Sequence, residues 1–210
     1  MVASIEKFPD IVLQQLAYLL DPRDIFSLSL ASKELYYIFS NNTLWKAKTV
    51  HDFGNLFHVY TIFTTSTGLD LGDDLKQKFG KEPENWHTYY ITKNASIDET
   101  NNDELMDQAD KEYTEAQAYL KTFQNDGDIQ VLSQVASKMI RILGKSSVYK
   151  IIYHKYTYSV YLDIFPGHSG CYYILGFILF VLNQLEEAMI LLQMGRAADP
   201  DFEPIDGRSF

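Results

Sequence analysis

The run Gly167-His168-Ser169-Gly170-Cys171 sets an imidazole, a hydroxyl and a thiol side by side, the side chains from which nucleophilic catalysis is built. A nucleophile elbow needs Gly-x-Ser-x-Gly on a strand-to-helix turn. This chain has Cys171 where the last glycine belongs, and its sequence offers no parallel-sheet pattern to carry the turn. A serine hydrolase using Ser169 with His168 is therefore a remote reading. The other histidines, His51, His58, His87 and His154, share no metal-ligand spacing such as His-Glu-x-x-His. Asp126-Gly127-Asp128 lacks the alternating oxygen donors and the later glutamate of a calcium loop. Cys171 is the lone cysteine, which excludes an internal disulfide and a cysteine zinc site. No glycine-rich phosphate loop is present. The expectation is a non-enzyme without catalytic residues, cofactor or metal.

The wider composition narrows the partners. The chain has 210 residues, a formal charge of −10 and a pI near 4.9, and its Lys and Arg are not clustered. Phosphate contacts need such clusters, so no nucleic-acid partner is expected. With 46% hydrophobic and 14% aromatic residues, the chain has enough apolar material to build a core. The strongest apolar run, Cys171 to Leu182, falls short of the roughly 20 residues that span a bilayer. It reads as a buried helix, with no membrane partner. No basic stretch followed by an apolar run opens the sequence, so no signal peptide is read. A cytoplasmic or nuclear location is the expectation, and the sequons at Asn41 and Asn94 should then be unused.

The N-terminal residues announce a series of short helices. Val12, Leu13, Leu16, Leu19 and Leu20 recur at helical spacing behind Pro9, whose missing N–H suits a first helical position. Asp21 reads as the N-cap of a second helix, with Pro22 at its first position and Asp24 facing the positive end of the dipole. Ile25, Leu28 and Leu30 extend the apolar surface, and Leu35 and Ile38 mark a third helix. Ser40-Asn41-Asn42 breaks the chain before Leu44 and Trp45. Helices this short cannot bury all of that apolar area among themselves. An amphipathic partner helix is the natural cover for such a surplus.

The sequence of stations Phe8-Pro9-Asp10-Ile11-Val12-Leu13, Leu16, Leu19-Leu20-Asp21-Pro22-Arg23-Asp24-Ile25, Leu28, Ser32-Lys33 and Leu44-Trp45 resembles an F-box, and it does so without an inserted or deleted residue. Two positions depart from the family: Ile11, where an acidic residue is frequent, and Leu35, where an aromatic one is common. The resemblance implies docking to the Skp-type adaptor of a cullin-RING ubiquitin ligase through Phe8, Pro9, Val12, Leu13, Leu16, Leu20, Ile25, Leu28, Leu44 and Trp45. Pro9 and Leu13 would be the sharpest tests. The chemistry of ubiquitin transfer would belong to other subunits, and this chain would raise the effective concentration of a bound protein substrate.

Beyond the F-box-like segment at residues 5–50, residues 51–93 read as a linker anchored by Trp86, Tyr89 and Tyr90, with an exposed loop from Thr61 to Asp74. Residues 94–110, rich in Asn, Asp and Glu, read as a solvated acidic linker. A helical domain follows at 111–205. In it Val131, Leu132, Val135, Met139, Ile142 and Leu143 form one stripe ending at a C-capping Gly144. Tyr149 to Phe165 fits both helical and alternating patterns, and its helical neighbours favour a helix. Pro166-Gly167 breaks the chain, and Ser169 is placed to cap the next helix.

From Ser169 to about Phe202 the chain resembles one tetratricopeptide repeat, with Leu175-Gly176, Ala188 and Asp199-Pro200 in place, Gly195 where the repeat prefers Ala, and no second copy upstream. The expected fold class is all-α: an F-box unit, a linker and a helical-repeat-like domain. The expected function is the substrate-recognition subunit of a Skp–cullin–F-box ligase. The alternative is an adaptor-binding scaffold that never joins a ligase.

Overall fold

The computed structural model describes residues 8–95, 102–156 and 168–199, and among them the regular structure is entirely helical. The chain divides into two compact units, Met1–Asp52 with Pro83–Ile97, and Phe53–Glu82 with Asp98–Phe210. Among the described residues no helix is long and apolar enough to cross a membrane.

The first unit holds α1 (Asp10–Leu19), α2 (Pro22–Ser29), α3 (Lys33–Phe39), most of α4 (Asn42–Phe53) and α7 (Trp86–Ala95). Each corner has a side-chain cause. Asp21 accepts the amide of Arg23 at 2.8 Å, so α2 starts where the sequence places its cap, and Ser32 accepts that of Leu35 at 3.2 Å, a cap that the sequence reading did not name. Asn41 takes the amide of Thr43 at 2.8 Å and Asn85 that of Thr88 at 2.9 Å, which opens α4 and α7 in the same way. Asn42 then ties the two together: its amide donates to the Glu84 carbonyl at 3.3 Å and its oxygen accepts the Trp86 amide at 2.8 Å. Leu13, Ala17, Ile25, Leu35, Phe39, Leu44, Trp45, Trp86 and Tyr90 are the buried side chains at the centre of this unit.

The second unit begins with α5 (Leu56–Ser66) and α6 (Asp73–Phe79), continues with the long pair α8 (Asn102–Asp126) and α9 (Ile129–Tyr156), and closes with α10 (Ser169–Val181) and α11 (Leu185–Ala198). Helix α9 is its axis, packing on α8, α10 and α5. The sequence-read stripe on α9 is buried at Leu132, Val135, Met139, Ile142 and Leu143. Its polar flank makes directed bonds: Ser137 donates to the Leu71 carbonyl at 2.8 Å, Lys145 reaches Glu112 at 2.8 Å, and Arg141 forks onto Asp74 with both bonds at 2.9 Å.

Several local expectations are corrected here. The stretch from Thr61 to Asp74 is no open loop: α5 runs to Ser66, and Leu69 and Leu71 are buried. Thr61 and Thr65 donate their hydroxyls to carbonyls one turn back, at 2.8 and 2.7 Å, so these threonines satisfy themselves inside a helix rather than breaking it. Helix α8 starts inside the expected acidic linker, because Ala109, Tyr113 and Ala116 at helical spacing give it a buried face. Gly144 does not end α9, which passes through it to Tyr156; the rest of the ambiguous Tyr149–Phe165 stretch lies outside the described residues. Ser169 is the first residue of α10 rather than its cap; the capping position is His168, whose side chain does not cap the helix.

The hairpin of α10 and α11 is tight for reasons visible in the sequence. Asn183 adopts a left-handed φ of 61°, its amide bonding to the Phe180 carbonyl at 3.0 Å and that of Gln184 to the Leu179 carbonyl at 2.8 Å. This is the double bond of a Schellman turn. A Cβ on Gly176 would stand 3.0 Å from the Leu192 side chain and 3.3 Å from the Ala188 carbonyl, so the glycine is what lets the helices close. At Gly195, where a repeat would prefer alanine, a Cβ would meet Tyr172 Cβ and the Tyr173 ring at 3.2 Å each.

Candidate docking surface

Helix α1 is apolar on both sides. Its inner face carries Leu13 and Ala17, both 0% exposed, with Leu16 and Leu20 half-buried. Its outer face carries Phe8 at the N-terminal approach, then Ile11, Val12 and Leu19, the last 83% exposed. The next two helices repeat the division. Helix α2 buries Ile25 and turns Phe26 outward, with Leu30 at its C-cap 69% exposed; α3 buries Leu35 and Phe39 and turns Tyr36 and Tyr37 outward. Among the described residues the outer faces of α1 to α3 thus present these large apolar side chains to solvent.

The sequence-selected residues separate into two sets on this scaffold. Phe8, Pro9 and Val12 are exposed, and Leu16, Leu20 and Leu28 are half-buried. Leu13, Ile25, Leu44 and Trp45 lie inside the unit, where they hold it together and offer nothing to a rigidly docking partner. Trp45 donates its indole N–H to the Phe39 carbonyl at 2.7 Å and packs its ring against His87 and Tyr90, with centroids 4.4 and 5.2 Å away. Four outward residues that the sequence reading did not assign to docking, Ile11, Leu19, Phe26 and Tyr37, are more accessible than most that it did. The signal that reveals them is apolar character at positions out of phase with the buried stripe.

Beneath this surface sits a polar node that periodicity does not reveal. Asp52 lies 3.1 Å from the Lys48 ammonium and 2.7 Å from His51 Nδ1, and it accepts the Tyr90 hydroxyl at 2.6 Å. Lys48 is itself buried and reaches the Tyr18 carbonyl at the end of α1 at 3.5 Å, while the His51 ring stacks on Tyr18 at 5.1 Å. The node thus joins α1, α4 and α7. Burial pushes the Asp52 carboxyl up, and the His51 bond, the Lys48 charge and the Tyr90 hydroxyl together outweigh it, leaving the carboxyl below its ordinary range. Burial and the neighbouring Asp52 charge push the Tyr90 phenol far up, so it stays protonated as a donor.

The catalytic reading of Ser169 meets different surroundings. Ser169 is buried in the first turn of α10, and the His168 ring lies 3.4 Å from Asp110 and 4.5 Å from the Tyr113 ring centroid. Burial pulls the His168 imidazole below its usual value despite Asp110, which holds it neutral at neutral pH. Burial pushes the Cys171 thiol well up, which keeps it protonated and weakly nucleophilic. Burial likewise raises the Tyr113 phenol to about 12. Gly167, the first residue of that motif, lies outside the described residues. Among the described residues no group of three His, Cys, Asp or Glu side chains stands close enough to hold a metal ion.

No family model, curated protein or solved structure matches this chain.

Proposed function

We propose that the chain is a substrate receptor of a Skp–cullin–F-box ubiquitin ligase, docking the Skp-type adaptor through the outer faces of α1, α2 and α3 and carrying its substrate-binding surface in the second unit. The observation that carries the reading is the two-sided apolar character of α1, joined to a residue order that resembles an F-box at every station from Phe8 to Trp45. Exposure is the ground on which this reading chooses among the apolar residues. Phe8, Ile11, Val12, Leu19, Phe26, Leu30, Tyr36 and Tyr37 would be the anchors, while Leu13, Ile25, Leu44 and Trp45 would be the frame beneath them. Buried aromatic and aliphatic anchors of this kind carry most of the affinity at protein interfaces. On α7, Tyr90 packs its ring against Trp45 of that frame.

Ligase membership has its own test. Affinity purification of the tagged full chain from cells should bring down the cullin and the RING subunit along with the adaptor, in wild type but not in a Leu19→Asp, Phe26→Asp variant. Recovery of the adaptor alone, with no cullin, would replace the ligase reading with an adaptor-bound scaffold.

A further inference from the structure

The outward face of α11 is complementary to itself. Its exposed residues are Leu185, Glu186, Met189, Ile190, Gln193 and Arg196, and at 3.6 residues per turn these share one side of the helix. The opposite side is spent within the unit, with Ala188, Leu191 and Gly195 buried. At the adjoining end of α10, Phe180 and Val181 are exposed as well, so five large apolar side chains reach solvent around one hairpin turn. Glu186 stands in the first turn and Arg196 in the last, about 15 Å apart along the axis at 1.5 Å per residue. Each charge suits the dipole at its own end of α11, which accounts for the charges but not for Leu185, Met189 and Ile190 standing in water beside them.

We propose that this face is a two-fold interface between two copies of the chain, with α11 packed antiparallel against α11 of the second copy. A two-fold rotation midway along the face brings Glu186 of each copy to Arg196 of the other, and Met189 of each to Gln193 of the other. In such an isologous contact every favourable pair is made twice. Parallel pairing would instead set Glu186 against Glu186 and Arg196 against Arg196. A foreign helix of one charge sign would match one end of the face and repel the other, which is why a second copy fits better. The interface lies wholly on the second unit and stands independently of adaptor docking.

Sedimentation velocity and light scattering of the full chain over a concentration series test this. Wild type is expected to dimerise, and Met189→Asp to weaken the dimer about tenfold or more, the effect of roughly 1.4 kcal/mol. Glu186→Arg and Arg196→Glu should each weaken it singly by placing like charges together. The double variant Glu186→Arg, Arg196→Glu should restore it, a rescue that only a contact between these two residues produces. All these positions are exposed, so circular dichroism should show the helical content of wild type in every variant. Wild type that remains monomeric at every concentration overturns the proposal and leaves the face to a different protein. A dimer indifferent to these variants overturns it equally, because the contact then lies elsewhere.

Discussion

Asp52 accepts from Lys48, His51 and Tyr90 at once, and what happens on removing each donor follows from what is left behind. Lys48→Met strands a largely buried carboxylate without its cation, which should cost about 3 kcal/mol. Tyr90→Phe removes one hydroxyl but keeps the charge pair and the packing, which should cost about 1 kcal/mol. The pH dependence has a definite sign. The folded carboxyl sits below its unfolded value of about 4, so the stability it contributes is complete above that value and is lost as pH falls through the lower, folded one. Urea unfolding at pH 7 and at pH 3 should therefore show wild type losing its advantage over Asp52→Asn on acidification. An undiminished gap at pH 3 would mean the node acts through shape rather than charge. None of this was legible in the sequence, since Lys48 and Asp52 look like an ordinary surface pair one turn apart until α7 is seen to close over them.

The helices of the first forty residues were legible through the apolar spacing behind Pro9, the capping Asp21 before Pro22, and the break at Ser40-Asn41-Asn42. Those of the middle were not. Threonines over 61–67 count as loop formers in isolation, yet their hydroxyls fold back onto the helix; and α8 buries alanines and a tyrosine, small or amphipathic residues that a search for large aliphatic stripes passes over. Gly144 and Ser169 show the same limit, each having the right type for an end but lying inside a helix whose extent packing decides. The α10–α11 hairpin was legible through its small residues, and they make a sharp prediction. Gly176→Ala gains helix propensity of about 1 kcal/mol but drives a methyl into Leu192 and the Ala188 carbonyl. The carbonyl cannot yield, so the net should be a loss of about 1–2 kcal/mol, read as a lower melting temperature. An unchanged or raised melting temperature would show that the hairpin has slack there.

At the scale of the whole molecule the chain leaves its first unit after Asp52, builds α5 and α6 in the second, and returns with α7 at Pro83 to complete the first. The first unit is therefore discontinuous in sequence, and the linker read from 51–93 is shared between the two units. The sequence located the candidate surface but blended two roles within it: periodicity finds apolar residues without saying which side of a thin helical layer they face. Leu13 illustrates the consequence, since Leu13→Ala should cost about 2–5 kcal/mol of stability and abolish docking by unfolding the unit, leaving the contact itself untested. Leu19 and Phe26 are free of that difficulty. The most direct test is co-expression of the full chain with a Skp-type adaptor followed by size-exclusion chromatography, comparing wild type with the Leu19→Asp, Phe26→Asp variant. The account predicts a one-to-one complex for wild type, and for the variant a folded chain that elutes without adaptor. Wild type that elutes folded and alone, or a variant that keeps the adaptor, would contradict it.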